Sequence, residues 1–243
     1  MKDILQDIVA HTHALGFLNI VKVNGDDAQT GIDSMAEDRS VIMQANTKNA
    51  QLEMKGTFGM PNLNKLDIHL KCPEYKDEAT IDVVRQDRNG VQIATGIHFE
   101  NKTGDFKNDY RFMNAEIINE KLKTLKMKSV AWDVEVSPTM ASVQRFKMQA
   151  TANAEETVFT VLTDGTDIKF KFGDASTHAG EFIFATGVTG SLKNEWAWPV
   201  QQTLAILSLD GDKVMKFSDQ GAMQIQVDSG LATYEYILPA QSK

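Results

Sequence analysis

Five histidines, one cysteine and a scatter of paired acids are the residues of this chain that could do chemistry. The nearest approach to a metal-ligand pattern is His11-Thr12-His13, but on a helix residues two apart point about 200° apart and cannot converge on one ion. His69, His98 and His178 are isolated and read as surface or core histidines. Asp210-Gly211-Asp212 and Asp164-Gly165-Thr166-Asp167 lack the further ligand positions of a calcium loop and read as turns. Glu155-Glu156 falls at a predicted helix exit, a poor place for an acid/base pair. No G-x-x-x-x-G-K-[ST], no G-x-G-x-x-G after a strand, no C-x-x-C and no G-x-S-x-G occurs. The expectation is a protein without catalytic residues, metal or cofactor, and an enzyme is the least favoured class.

Charge carries more information. The 243 residues hold 25 Lys and Arg against 33 Asp and Glu, a net charge of -8. That excludes a uniformly basic coat, although a small basic face can sit on an acidic body. Four segments predicted as helices, 2–15, 61–72, 138–153 and 193–208, hold Lys2, Lys65, Lys71, Arg145, Lys147 and Lys193 against Asp3, Asp7, Asp67 and Glu195. They are net positive while the remainder is strongly negative, as an anionic partner touching only the helices requires. The third segment offers Gln144, Arg145, Lys147, Gln149 and Asn153 with no acid between Pro138 and Ala154; such side chains contact phosphate without reading sequence. A plainly solvated helix face accounts for them equally.

The elements that position these residues follow from periodicity. Ile4, Leu5, Ile8, Val9 and Leu15 recur at helical spacing. Strand-like runs follow at Phe17 to Val23, around Ile32 and at Ser40 to Thr47, and Leu52, Met54 and Phe58 continue the alternation. Pro61 opens a short helix. Strands return at Thr80 to Arg85, at Val91 to Ile97 after Arg88-Asn89-Gly90, and at Lys107 to Met113. The stretch from Asn114 to Val130 carries four lysines, no glycine and no proline, and reads as a crossover. Beyond it come a strand from Ala131 to Val136, a helix capped by Ser137, strands at Thr157 to Leu162, Asp167 to Phe172 and Glu181 to Ala185, and Trp196-Ala197-Trp198 leading into Pro199.

This is one plan written twice. Pro61 is followed by Leu66 and Ile68, and Pro199 by Leu204 and Ile206, at the same offsets. Asp87 to Ile93 reads DRNGVQI and Asp219 to Ile225 reads DQGAMQI. The predicted class is α+β with mostly antiparallel sheets and two helices per domain, over domains 1–113 and 131–243 joined by the connector 114–130. One irregular sandwich with incidental helices is the alternative. Cys72 alone excludes an intrachain disulfide. The N-terminal stretch has neither the charge pattern of a signal peptide nor the length of a membrane span, so a soluble, intracellular, cytoplasmic protein is expected.

The order of elements, the connector and the closing run KFSDQGAMQIQVDSGLATYEYILPA together resemble a DNA sliding clamp of the two-domain kind, the family of proliferating cell nuclear antigen and the T4-type bacteriophage clamp. Leu70-Lys71-Cys72, Trp132-Asp133-Val134, Asp164-Gly165 and Tyr234 to Pro239 are its best local pieces. The resemblance implies a trimeric ring whose helices line a hole around duplex DNA, with no catalysis and with a polymerase and a clamp loader as partners. By position it implies DNA-facing roles for Lys2, Lys65, His69, Lys71, Arg145 and Lys147. Asp3 and Asp7 on the first helix, and Gln201 and Gln202 on the fourth, depart from the family's basic pattern. The implied partner groove is lined by Met35, Val41, Leu122, Leu125, Tyr236, Ile237 and Pro239. Subunits would join Lys107 to Met113 against Glu181 to Ala185, with Tyr110, Phe112, Phe182 and Phe184 as apolar contacts. The plain connector and the short tail after Pro239 lean towards a bacteriophage replisome. The rival reading is a β-rich interaction or virion assembly module that shares the repeat but encircles nothing.

Overall fold

The computed structural model describes residues 1–123, 130–174, 176 and 178–241. The chain packs as two compact units. One comprises Met1–Glu37, Met43–Leu125 and Ser229–Tyr234, the other Asp38–Ile42, Lys126–Asp228 and Glu235–Lys243. Among the described residues no helix is long and apolar enough to cross a membrane.

The first unit opens with α1 (Lys2–Ala10), which buries Ile4, Leu5, Ile8 and Val9 at the spacing the sequence shows. The helix stops five residues before its expected end: the Thr12 hydroxyl donates to the Ile8 carbonyl (2.6 Å), and a short 3-10 turn, His13–Leu15, closes on Gly16 at φ 84. Strands β1 (Val21–Gly25), β2 (Thr30–Met35), β3 (Ile42–Thr47) and β4 (Gly56–Met60) follow, in the order β4-β1-β2-β3. Leu52 and Met54, expected in a strand, form a 3-10 turn that exposes the first and buries the second. Helix α2 (Leu63–Lys71) packs beside α1. Strands β5 (Thr80–Arg88), β6 (Val91–Glu100) and β7 (Lys107–Arg111) then form an antiparallel sheet in sequence order. Asn89 and Gly90, both at positive φ, make the tight turn between β5 and β6.

The connector begins as a helix, α3 (Ala115–Lys121), which its lysine-rich composition does not announce. The Asn114 side chain caps it by accepting from Ile117 N (2.9 Å), and Ile118, fully buried, lies on β4 over Gly59. A Cβ on Gly59 would stand 2.8 Å from Ile118. Residues 124–129 of the connector, Leu125 included, lie outside the described residues.

The second unit repeats the plan with β8 (Val134–Val136), α4 (Met140–Ala152), β9 (Val158–Thr163), β10 (Asp167–Phe172), β11 (Gly180–Thr186), β12 (Ala197–Pro199), α5 (Val200–Leu207), β13 (Asp212–Ser218), β14 (Ala222–Asp228) and β15 (Ala232–Pro239), of which Ala232–Tyr234 count with the first unit. Its four-stranded sheet runs β12-β9-β10-β11, the order of β4-β1-β2-β3, and its remaining strands are ordered β8-β13-β14-β15. The helix repeat is real but one residue out of step. Positions buried 2, 5, 8 and 9 residues after Pro61 (Leu63, Leu66, His69 and Leu70) match those 1, 4, 7 and 8 after Pro199 (Val200, Thr203, Ile206 and Leu207). The extra residue is Asn62, at φ 53. Ile68, which shares an offset with Ile206, is therefore 59 % exposed. Asp87, near the end of β5, and Asp219, just after β13, both flank the hairpin between the first two strands after the second helix of each unit.

Candidate nucleic-acid interface

Each unit presents two neighbouring helices, and on α1, α2, α4 and α5 five basic residues stand against three acids. Lys193 and Glu195 drop out of this tally, because α5 starts only at Val200; the Asp219 carboxylate holds the preceding loop by accepting from Lys193 N and Asn194 N (both 2.8 Å). One acid is also less available than its sequence position implies. Asp7 faces inward, where Ser229 Oγ (2.9 Å) and Tyr234 OH (2.8 Å) donate to its Oδ2 and His11 stands at 3.3 Å. Burial alone would raise this carboxyl; hydrogen bonds from His11, Tyr234 and Ser229 outweigh it and hold the group below the ordinary aspartate value. Asp7 thus fastens a distant segment into the first unit, and Asp3 is the exposed acid of α1.

Helix α4 carries two basic residues and no acid. Thr139, rather than Ser137, caps it: Thr139 Oγ1 accepts from Ser142 N (3.1 Å), and Ser142 Oγ accepts from Thr139 N (2.9 Å). One large side chain anchors the helix. Phe146, fully buried, packs among Phe159, Phe170, Phe172 and Phe182, with centroids 4.8 to 6.4 Å away. With Phe146 inward, Met140, Gln144, Arg145, Lys147 and Met148 are exposed.

Arg145 and Lys147 nevertheless diverge, as two positions on a helix must. Lys147 borders the clefts between α4 and α5, one shared with Gln144 and Leu204, the other with Gln201 and Gln202. Arg145 leans towards β11, its guanidinium 5.4 Å above the Phe182 ring, and lines a cleft of about 490 Å³ with residues 183–189. Gln149 and Asn153 leave the polar face: Asn153 Nδ2 donates to the Gln149 carbonyl (2.8 Å), and the two side chains press on Gly180, where a Cβ would lie 2.5 Å from Gln149 Oε1.

On α2, Lys65 and Lys71 are exposed, and Lys71 bridges Asp67 at 2.6 Å. An exposed i,i+4 pair of this kind contributes little to stability and releases its lysine readily. His69 does not join them. It is 7 % exposed, its ring 5.2 Å from that of Phe99, and burial together with the Lys65 charge lowers its pKa. The expectation of a DNA-facing His69 fails because α2 turns this position into the core. Lys2 is tied back, its ammonium donating to the Tyr75 carbonyl (2.7 Å).

Of the four aromatic residues expected at a subunit joint, Tyr110, Phe182 and Phe184 are core and Phe112 is half-buried. Tyr110 is 2 % exposed and donates to the Pro61 carbonyl, and burial raises its pKa. Phe112 stacks on Phe58 (4.1 Å), and Phe184, 3 % exposed, stacks on Phe170 (4.2 Å). Phe182 shares the Phe146 cluster. A charge at Phe184 would therefore disrupt its own unit before any joint. Among the described residues β7 and β11 each have a neighbouring strand on one side only, and Met113, just past β7, bridges Gly59 on the other side. Among the expected groove residues Val41 and Tyr236 are fully buried and Ile237 nearly so; Met35 and Leu122 are half-buried and Pro239 is exposed. Alternation along β15 marks Tyr236 as an inward position between Tyr234 and Leu238; Ile237 falls outside that alternation and is buried all the same.

No family model matches the chain, and no curated protein matches it. Solved structures do. PCNA from Thermococcus kodakaraensis superposes with a TM-score of 0.71 at 11 % identity, over 99 % of this chain and 97 % of that one. A. fulgidus PCNA, bound to the C-terminal region of FEN-1, superposes with a TM-score of 0.70 at 10 % identity, over 100 % and 95 %. The fold is that of the PCNA sliding clamps.

Proposed function

We propose that this chain is a DNA polymerase processivity factor: three copies close into a ring around duplex DNA and tether the enzyme that works on it. The observation that carries this reading is the duplicated pair of helices, net basic on an acidic chain, within a clamp fold matched over its whole length. Lys65, Lys71 and Lys147 supply exposed ammonium groups for phosphates, Gln144, Gln201 and Gln202 supply neutral donors, and Arg145 and Lys2 stand at the margins. So few charges make loose, sequence-independent contact, which suits a ring that slides. Retention comes from topology and needs no tight binding. As the FEN-1 segment binds the A. fulgidus protein, a terminal segment of a polymerase, and a loader that opens the ring, are the partners proposed here.

The test is retention on DNA of different topology. The protein, assembled on nicked circular plasmid with a loader, should remain bound through gel filtration at about 0.2 M salt and leave once the plasmid is linearised. Equal loss from circular and linear DNA, or a protein monomeric at every concentration, would overturn the reading.

A further inference from the structure

The two units differ at one sheet edge. In the second unit β8 lies antiparallel on β13, with Val134, Glu135 and Val136 opposite Phe217, Lys216 and Met215. The apolar residues of both strands are buried, and the outward Glu135 stands 3.7 Å from Lys216. In the first unit β5 has the place of β13, as the first strand after the second helix, yet among the described residues β6 is the one strand that pairs with it.

The free backbone groups of β5 can be followed through the ladders. Phe112 N donates to Thr95 O (2.9 Å), so Thr95, Ile97 and Phe99 turn their polar groups to β7, and Gly96, His98 and Glu100 turn theirs to β5. Their partners Val84, Asp82 and Thr80 bond back to β6, which leaves Ile81 and Val83 aiming N–H and C=O at the open side. The side chains of Ile81 and Val83 share the core face with Phe99 and Ile97, opposite them and fully buried. Both are only half-buried, whereas Met215 and Phe217 under β8 are fully covered. A cleft of about 400 Å³ adjoins the edge, bounded by the start of α1, Tyr75 and residues 78–82. Towards the other end the Arg85 guanidinium donates to the Glu53 and Lys55 carbonyls (both 3.0 Å) and closes the run.

The chemistry of an added strand follows from these groups. The backbone of Ile81 and Val83 calls for an extended segment, and their part-covered side chains call for aliphatic residues opposite them. The residue between lies on the solvent face beside the exposed Asp82, an acid where β13 carries Lys216. Lys216 meets an acid across its strand pair; Asp82 favours a cation.

We propose that β5 accepts, antiparallel, an extended segment of a partner protein with the pattern aliphatic, Lys or Arg, aliphatic, the cation opposite Asp82. The inference stands apart from the ring reading.

The probe is a blocked peptide, Ser-Thr-Val-Lys-Val-Thr-Ser, added to the full chain and read by amide hydrogen exchange at Ile81 and Val83, whose outward N–H groups exchange quickly while the edge is open. At about 2 mM peptide that exchange should slow by about three-fold or more. The same peptide with Glu in place of Lys should bind about five-fold more weakly. Asp82→Lys, at an exposed position and with unchanged circular dichroism verifying its fold, should reverse the preference. Unslowed exchange at both amides, or an unreversed preference in Asp82→Lys, would overturn the proposal. So would slow exchange in the protein alone: if it deepened with protein concentration the edge would belong to a second copy, and if it did not, to the chain itself.

Discussion

Replacing Phe146 by alanine should loosen the helix that presents Lys147. The side chain is fully buried and meets four other phenylalanine rings, and Ser142 is the other buried residue of α4. Phenylalanine-to-alanine changes in cores cost about 3 to 5 kcal/mol, and the ring contacts place this site in the upper half of that range, about 4 kcal/mol. With a urea dependence of about 1.5 kcal/mol/M for a domain of this size, the midpoint should fall by about 2.5 M. All three tryptophans, Trp132, Trp196 and Trp198, belong to the second unit, so their fluorescence reports the unit that holds α4. Met148→Ala, at a position 71 % exposed on the same helix, should move the midpoint by less than about 0.3 M. If F146A also shifts it by less than about 0.5 M, the single-anchor account of α4 is wrong.

Lys147→Glu should leave assembly intact and weaken DNA retention, and removing one phosphate contact should reduce the slope of log affinity against log salt by about 1; an unchanged slope would take Lys147 off the DNA path. Gly59→Ala should displace Ile118 and free α3, at a cost of about 1 to 3 kcal/mol, read as faster proteolysis within residues 115–123. On β6, His98 Nδ1 lies 2.8 Å from Asp109 and Nε2 3.2 Å from Glu100, and Lys107 also bridges Glu100; in register Asp82 flanks the histidine from β5. Hydrogen bonds to Asp109 and Glu100 raise the His98 pKa above its ordinary value. A raised folded-state pKa contributes stability below the unfolded value near 6.5 that is lost as pH rises through the folded one. The thermal midpoint should therefore drop between pH 6 and pH 8 by more in wild type than in His98→Asn, and equal drops would dismiss the cluster.

The sequence by itself determined the class, the duplication and most elements, because these depend on local rules. Period-two and helical spacings place β6, β10 and the first part of α1, Asn89-Gly90 requires its turn, and Pro199 marks a helix start. It also made the helices net positive on an acidic chain, a property of composition. Only the tertiary structure decided which of those residues face outward together. The angle between Arg145 and Lys147 is local, but that one leans on β11 while the other borders α5 depends on Phe146 finding four rings from strands up to 36 residues away in sequence. His69 and Lys65 share a helical stripe, yet Phe99 draws the histidine inside. Tyr110, Phe182 and Phe184 alternate as edge residues would, and their own unit's core claims them. The connector turns helical at its start because Gly59, more than fifty residues earlier, leaves room for Ile118. In each case burial is settled by a surface the chain brings from far away, and no window of local sequence contains it.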